Sequence, residues 1–508
     1  LDSRSFETPI ADIRAVLDAR WDQDLVPRLI DYVRVPAKSP MFDDNWAERG
    51  ELSSVVEEAR RWAQSLGIAG LKLEIVTLPD RTPCLFFDAP ATGGLGNERT
   101  VLFYGHLDKQ PEMSGWREGL GPYKPVLENG RLYGRGGADD GYAVYAALSV
   151  IQGLDAQAIS RPRCIGLIET SEESGSPDLP AYLEALAPRF GDVQLVCALD
   201  SGCGNYDQLW VTSSLRGLAG GTLTVDILRH GVHSGAASGL VPSSFRIARQ
   251  LLSRLDDPAT GRVLLPELHA EIPAARLEQA RQAGAILGDT VWQQFPWASC
   301  EHLPQPKVEG LDAAARLRAA AASHAAPAHL QAQPTTTDPV EGLLNRTWRP
   351  ALSVIGAADL PLPRDAGNVL RPRTTLKLSM RLPPTVDAER ATAAMKKALE
   401  SDPPYGARVH FEADHAADGW SAAPTAPWLA RALDDASQRA FGRSAAWIGE
   451  GGTIPFMAML GRHFPQAQFV VTGVLGPQSN AHGPDEFLHI GYAKRLSVAV
   501  ASLLTAVP

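Results

Sequence analysis

The sequence lacks the features that mark secreted, membrane-spanning and disulfide-bonded proteins. It has five cysteines in 508 residues, and none of them belongs to a Cys-x-x-Cys pair. It has no run of about 18 apolar residues, the length that a transmembrane helix needs. The start Leu1-Asp2-Ser3 has no basic segment followed by an apolar one, so no signal peptide is visible. We therefore expect free thiols, no membrane partner and a cytoplasmic location.

Basic residues are also in deficit. Lys and Arg number 48 against 58 Asp and Glu, which gives a net charge of −10. Without a basic patch or a nucleic-acid-binding motif, the sequence predicts no nucleic-acid partner. The acidic excess either serves solubility or gathers carboxylates around bound cations. With 44% hydrophobic and 21% charged residues, the composition is that of a globular enzyme, and the length predicts at least two domains.

Four apolar, β-rich runs each precede a residue that can bind a metal or move a proton. The runs span residues 101–105, 164–168, 193–199 and 469–474, and the polar residues that follow are His106, Glu169, Asp200 and His482. Such continuous apolar strands, alternating with helices, predict an α/β fold whose mostly parallel central sheet is flanked by helices. Ligands of these sheets bind outside the carboxyl ends of the strands, where the four residues lie.

A second pattern begins near residue 214. Apolar and polar residues alternate around 223–227, 376–382 and 409–411, and a helical repeat covers 245–255. Strands with one wet face and helices on the other predict a small α+β layer. We assign residues 214–415 to this inserted domain and residues 1–213 and 416–508 to the catalytic domain. The fold of 256–350 stays open, apart from a helix predicted at 274–282.

Five side chains at predicted strand ends and helix starts form a candidate set of metal ligands: His106, Asp139, Glu173, Asp200 and His482. Two zinc ions that share one site need a bridging carboxylate and further N or O ligands for each ion. Taken singly, each residue also fits a turn, a helix cap or a buried histidine. Their joint placement, with an extra acid beside three of them, predicts a site for two cations.

The motifs around these residues resemble those of a known family. They are Gly105-His106-Leu107-Asp108, the segment 133–141, Glu172-Glu173-Ser174-Gly175, Asp200 and Asn480-Ala481-His482-Gly483. In order and rough spacing they are similar to the two-zinc metallopeptidases, which include carnosinase-type dipeptidases, glutamate carboxypeptidase, aminoacylase and succinyl-diaminopimelate desuccinylase. The dipeptidase branch is closest, although the family often has Lys where this chain has Gly141. The resemblance implies a zinc-peptidase-like catalytic domain, an inserted lid and dimerisation domain, and a homodimer formed through that domain.

The resemblance also implies how the ligands divide between the ions. His106 and Asp200 would hold one zinc ion, Glu173 and His482 would hold the other, and Asp139 would bridge them. Paired metals about 3.5–4 Å apart suit one bridging carboxylate and one bridging water. Mn²⁺ or Co²⁺ would accept the same ligands.

Two further acids receive roles from the same resemblance. Glu172 would be the general base, which takes a proton from the attacking water and passes it to the leaving amine. Asp108 would fix the orientation of the His106 imidazole. A cis peptide is expected between Asp139 and Asp140.

Substrate contacts are implied at six positions: His233, Asn368, Arg381, His415, Gly452 and Thr453. A guanidinium binds a carboxylate through two parallel hydrogen bonds, which suits Arg381 to a substrate's terminal carboxylate. His233 would reach the active site of a partner subunit. Arg381 also fits a solvated strand residue, the role of His415 stays open, and Gly451-Gly452 also fits an ordinary turn.

These features predict hydrolysis of the amide bond of dipeptides or very short peptides by a zinc-bound hydroxide. Deacylation of N-acyl amino acids, as in aminoacylase and the desuccinylase, uses the same machinery and stays open as the alternative. A non-catalytic binding protein on this fold would lack a ligand or the base, and none is missing. A phosphate-handling enzyme is not supported, because Gly134-Arg135-Gly136-Gly137 lacks the Lys-Ser/Thr of a phosphate-binding loop.

Overall fold

The computed structural model describes residues 7–295, 297–298 and 332–508. Cys300 and much of the stretch 256–350 lie outside the described residues. The strands, numbered in chain order, are β1 Lys72–Val76, β2 Cys84–Ala89, β3 Arg99–His106, β4 Val126–Glu128, β5 Arg131–Tyr133, β6 Arg163–Glu169, β7 Asp192–Ala198, β8 Trp210–Leu215, β9 Gly217–Asp226, β10 Val232–His233, β11 Ala351–Ala358, β12 Val369–Leu370, β13 Arg373–Leu382, β14 Arg408–Ala413, β15 Trp420–Ser421, β16 Ala446–Glu450, β17 Gln468–Val471 and β18 Phe487–His489.

The described α-helices are numbered in the same way. They are α1 Glu7–Arg20, α2 Val26–Arg34, α3 Trp46–Arg49, α4 Glu51–Ser65, α5 Tyr142–Ala156, α6 Leu179–Phe190, α7 Ser234–Ala237, α8 Ser244–Leu252, α9 Ala274–Leu287, α10 Thr290–Gln293, α11 Pro339–Thr347, α12 Ala388–Glu400, α13 Pro427–Phe441, α14 Pro455–His463 and α15 Ile490–Leu504. None of these helices is both long enough and apolar enough to span a lipid bilayer.

A six-stranded sheet forms the centre of the molecule, in the order β1-β2-β6-β3-β7-β17. The strands β6, β3, β7 and β17 run parallel, and β2 pairs antiparallel with β6. These strands are buried almost throughout because helices such as α5 cover the sheet. The predicted α/β fold with a mostly parallel central sheet is confirmed.

A second, antiparallel sheet has the order β11-β13-β9-β14. Its strands alternate buried and exposed residues, most clearly along β13. Helices α8 and α12 pack on the apolar face, where Ile247, Leu251 and Met395 join a separate buried cluster. The strands of this sheet fall between residues 217 and 413, inside the predicted insertion 214–415. The division of the chain at 213 and 416 stays a prediction.

Part of the stretch 256–350 packs away from this second sheet. Helices α9 and α11 contact β16, a strand of the small sheet β15-β8-β16. Their buried residues Ala283 and Leu343 belong to the same core as the six-stranded sheet. Sequence position alone could not place these helices, because an apolar helix face does not specify which sheet it covers.

Candidate metal centre and active site

The parallel strands bring the predicted site residues to one edge of the central sheet. His106 is the last residue of β3 and lies opposite Glu169, the last residue of β6. Asp200 follows β7 by two residues, and Glu172 and Glu173 lie in a short turn after β6. The carboxyl ends of neighbouring parallel strands share an edge, so residues far apart in sequence meet there.

Five side chains converge at this edge in two groups that share one carboxylate. The His106 group contains His106, Asp139 and Asp200, and the His482 group contains Asp139, Glu173 and His482. In each group the potential ligand atoms all lie within 4.8 Å of one another. The structure therefore gathers the same five residues that the sequence singled out.

Asp139 lies between the two histidines. Its Oδ1 is 3.5 Å from Nε2 of His106, and its Oδ2 is 3.0 Å from Nε2 of His482. Each carboxylate oxygen thus faces a different group, which is the arrangement that a bridging ligand requires. Asp139 stands in the turn that precedes α5, and the predicted cis peptide between Asp139 and Asp140 is present.

Asp108 connects His106 to the turn that carries Glu172 and Glu173. Its Oδ1 lies 3.3 Å from Nδ1 of His106 and accepts a hydrogen bond from the Glu172 backbone N–H at 3.2 Å. Its Oδ2 accepts from the Glu173 N–H at 3.0 Å. With Nδ1 beside Asp108, the Nε2 atom of His106 faces the site. Nδ1 of His106 also lies 3.1 Å from the Asp108 carbonyl oxygen, so the one residue Asp108 holds one imidazole and two neighbouring acids.

Glu172 stands beside His106 and lines a cavity together with Asp139 and His482. Its Oε2 is 3.9 Å from Nε2 of His106, and its side chain is only 12% exposed. Burial, with added repulsion from Asp200, raises the pKa of Glu172 well above its usual range. A carboxylate with a raised pKa is a stronger proton acceptor, which suits a general base.

The residues present fit a pair of divalent cations. Nε2 of His106 is buried and has no hydrogen-bond partner among the described atoms, so this nitrogen is available to bind a metal ion. Burial and the charge of Asp139 raise the pKa of Glu173 to about 8, and burial raises the pKa of Asp200 to about 7. Carboxylates packed so closely need protons or cations to offset their charge. Imidazole nitrogens and carboxylate oxygens are ligands that zinc accepts.

The site cavity has a volume of about 470 Å³. Residues that follow strands of the central sheet and residues of the second sheet both line it. Arg381 of β13 lines it and donates from Nη1 to Oγ1 of Thr453 at 2.9 Å. Gly452, also predicted as a substrate contact, lines the same wall. The structure thus places the guanidinium and the loop after β16 within one cavity with Asp139 and Glu172.

The other three predicted substrate contacts lie elsewhere in this chain. His233 and Asn368 are exposed neighbours at the β10–β12 ribbon, where the Ser234 N–H donates to the Asn368 carbonyl at 2.9 Å. His415 is exposed in the segment after β14. The described lining of the site cavity contains none of the three. Their roles stay predictions.

Two residues around the site, Gln110 and Glu169, make contacts that the sequence did not predict. Gln110 lines the cavity and donates from Nε2 to Oε2 of Glu173 at 2.6 Å. Glu169 is buried and accepts hydrogen bonds from Tyr104, Ser171 and Ser176, which tie the Glu172 turn to β3 and β6. The available signal was position: Gln110 follows Asp108 by two residues, and Glu169 ends a predicted strand.

A buried ion pair supports the loop that carries His482. Nη1 of Arg135 pairs with Oε2 of Glu486 at 2.5 Å, and both side chains are at most 1% exposed. Nη2 of Arg135 also donates to the Gly483 carbonyl at 3.0 Å. The loop needs such support because four of its non-glycine residues have positive φ: Gln478, Asn480, His482 and Asp485.

Comparison with known proteins gives a consistent result. The model of Peptidase family M20/M25/M40 matches residues 102–507. The chain is 24% identical over 453 residues to a cysteinylglycine-S-conjugate dipeptidase of Corynebacterium striatum, covering 88% of this chain and 89% of that protein. It is 25% identical over 452 residues to a Cys-Gly metallodipeptidase of Saccharomyces cerevisiae, covering 84% of each.

The fold agrees with a solved structure as well. Human carnosine dipeptidase 1 superposes with a TM-score of 0.72 at 20% sequence identity, and the match covers 98% of each chain. At this identity the likeness concerns the fold. The predicted combination of a zinc-peptidase-like domain with an inserted α+β domain is confirmed at that level.

Proposed function

The chain belongs to peptidase family M20/M25/M40, and we propose that it hydrolyses dipeptides or very short peptides with Glu172 as general base. The observation that carries this proposal is the position of Asp139, with one carboxylate oxygen toward each histidine. Glu172 lies beside one of these histidines, with its Oε2 3.9 Å from Nε2 of His106. The full-length relatives reported above are themselves named as dipeptidases, which favours a short peptide as the substrate.

The ligand roles follow from the two groups. We assign His106 and Asp200 to one cation, Glu173 and His482 to the other, and Asp139 to both. A bound pair of divalent cations supplies Lewis-acid polarisation of the amide carbonyl and makes a water molecule acidic near neutral pH. Zinc is our choice for these ligands, and Mn²⁺ or Co²⁺ would also be accepted.

The remaining steps belong to side chains of this chain. Glu172 accepts a proton from the attacking water and passes it to the nitrogen of the departing amine. Asp108 keeps Glu172 in place through the backbone N–H of that residue. Arg381, fixed by Thr453, binds the terminal carboxylate of the substrate and so limits cleavage to peptides that end just past the cut.

We also propose a homodimer formed through the inserted domain. Strand β11 is an edge strand, and its Val354 and Ile355 are 48% and 64% exposed. An exposed apolar edge strand favours pairing with another strand. His233 and Asn368, exposed together on the same domain, would then serve the partner's site.

A mixture of H233A and E172Q subunits, each inactive as a homodimer, should regain activity because each mixed dimer contains one complete site.

The cellular compartment is part of the proposal. The four described cysteines, Cys84, Cys164, Cys197 and Cys203, are free and buried. Free thiols are typical of reducing compartments, which supports a cytoplasmic location.

The test of the proposed function is a metal assay joined to a substrate panel. We expect two metal ions per chain and release of free amino acids from dipeptides. Acetyl- and succinyl-amino acids should be cleaved slowly or not at all. Faster cleavage of the acylated amino acids than of every dipeptide would replace the dipeptidase assignment with the deacylase alternative.

A further inference from the structure

A second cavity adjoins the site cavity and is not used in the mechanism above. This side cavity has a volume of about 330 Å³ and shares Glu450 and Leu475 with the site cavity. Its described wall combines apolar residues such as Leu287 and Val291 with polar ones, among them Asn205, Gln478 and Arg346. An apolar cavity with a few polar groups beside a catalytic site is suited to a substrate side chain that has a polar end.

Arg346 is the positively charged residue in the described wall of this cavity, which Glu450 also lines. It stands on α11, and its Nε is buried without a hydrogen-bond partner among the described atoms. No ion pair within 4 Å joins it to a described carboxylate, whereas Arg349 on the same segment pairs with Glu341 at 2.7 Å. An unpartnered buried donor of a charged group is costly, so it marks a place where an acceptor is expected to bind.

Two other arginines raise the positive charge along the same segment. Nε of Arg216 donates to the Gly451 carbonyl at 3.1 Å. A Cβ added at Gly451 would lie 3.1 Å from Cγ of Arg346 and 3.2 Å from Nη2 of Arg216, so this residue is held between the two arginines. Arg381 contacts Thr453 two residues further on. Three guanidiniums thus lie beside residues 450–453, whose one carboxylate is that of Glu450, and this excess of positive charge favours an anion.

The order of residues 450–453 indicates which part of a substrate would reach the side cavity. Thr453 meets Arg381, the group assigned to the terminal carboxylate, and Glu450 borders the side cavity. A dipeptide that extends from Arg381 along this segment therefore directs its amino-terminal residue toward Arg346.

Resting on the proposed function, we propose that the side cavity binds the side chain of the substrate's amino-terminal residue, and that Arg346 makes it selective for Asp or Glu there. The carboxylate of that side chain would accept hydrogen bonds from the free guanidinium. Arg346 is thus a specificity-determining residue, and amino-terminal acidic dipeptides are the preferred substrate class.

The test compares two substrates of nearly equal shape, Glu-Ala and Gln-Ala, on the metal-loaded enzyme. A hydrogen bond to a charged group corresponds to roughly a tenfold to hundredfold effect, so wild type should cleave Glu-Ala with a kcat/KM at least about tenfold higher. Arg346→Gln should bring the ratio close to one by slowing Glu-Ala alone. Arg349→Gln, a matched loss of charge outside the cavity, should keep the wild-type ratio.

The possible failures are distinguishable. A wild-type ratio near one, with both dipeptides cleaved, would overturn this inference and leave the dipeptidase function intact. Equal slowing of both substrates by R346Q, with the ratio unchanged, would also overturn it, because that is the effect of a purely structural residue. Cleavage of no dipeptide in the panel would instead reject the proposed function. The wild-type ratio is decisive even where R346Q does not fold.

Discussion

At the scale of single residues, the proposed mechanism gives Glu172 and its neighbour Glu173 different roles, general base and metal ligand. The two are adjacent in sequence, yet only Glu173 joins a group of potential ligands, and Glu172 faces the cavity beside His106. Asp108 produces this separation because its two carboxylate oxygens hold the two backbone N–H groups in place. Adjacent acids can therefore have different functions.

We predict that Glu172→Gln lowers kcat by ~10²–10⁴-fold, the usual contribution of a general base. Metal content and melting temperature should stay at the wild-type level, because Glu172 lies outside both ligand groups. Glu184→Gln, an exposed acid on α6, is the matched control and should leave kcat unchanged. Steady-state kinetics with metal analysis measure this, and full turnover by E172Q would remove the assigned base.

We predict that Asp139→Asn lowers the affinity for both metal ions, because one oxygen of Asp139 faces each histidine. Loss of a residue that only hydrogen-bonds a metal ligand costs about 10–100-fold in metal affinity. Loss of the shared ligand itself should therefore cost at least that much. His482→Ala should weaken one ion and spare the other, since His482 belongs to one group. Calorimetric titration separates the two cases, and a selective loss of one ion in D139N would exclude the bridging role.

The sequence was sufficient to predict that His106, Asp139, Glu173, Asp200 and His482 converge, because these residues follow strands or precede helices that end at one edge of the sheet. It was insufficient for Gln110 and Glu169, whose importance comes from their partners. Gln110 matters through its hydrogen bond to Glu173, and Glu169 through three hydroxyl donors from two segments. The sequence around a polar residue does not indicate which atom its side chain will contact.

At the scale of elements, the loop before β18 holds His482 although that side chain is 54% exposed. Its positive-φ residues would relax without an anchor, and the Arg135–Glu486 pair provides one from the segment before α5. The same carboxylate accepts from the Gly136 N–H at 2.9 Å. The pair therefore ties the His482 loop to the turn of Asp139.

We predict that Glu486→Gln destabilises the fold by about 3–5 kcal/mol, because it leaves the buried Arg135 charge without its partner. The affinity for metal should also fall, since the His482 loop loses its anchor. Glu128→Gln is the control: it breaks the exposed pair with Arg117 and should not change the melting temperature. Urea unfolding measures the difference, and equal behaviour of the two variants would contradict the anchoring role.

Periodicity in the sequence predicted the main elements within a few residues. The apolar runs at 101–105 and 164–168 became β3 and β6, and the alternating segment 376–382 became part of β13. The placement of α9 and α11 against β16 was not predictable, because it depends on contacts between segments about 100 residues or more apart. Local patterns specify an element, whereas its packing partner is set by the assembled fold.

At the scale of the whole molecule, the proposed dimer depends on the exposed edge of the second sheet. We predict that Ile355→Glu converts the protein to monomers, because a charge on an edge strand opposes pairing. Leu127→Glu is the control, since Leu127 is 55% exposed on β4, outside the inserted sheet. Sedimentation at several concentrations measures the assembly, and an I355E protein that stays dimeric would place the interface elsewhere.

The whole fold converges on one point, where strand ends, a turn and a loop from distant parts of the chain meet around Asp139. The most direct test of this account is titration of the metal-free wild-type protein with Zn²⁺ while dipeptide hydrolysis is recorded. We predict that binding saturates at two ions per chain and that activity reaches its maximum as the second ion binds. Full activity at one ion per chain, or with no ion bound, would contradict the account.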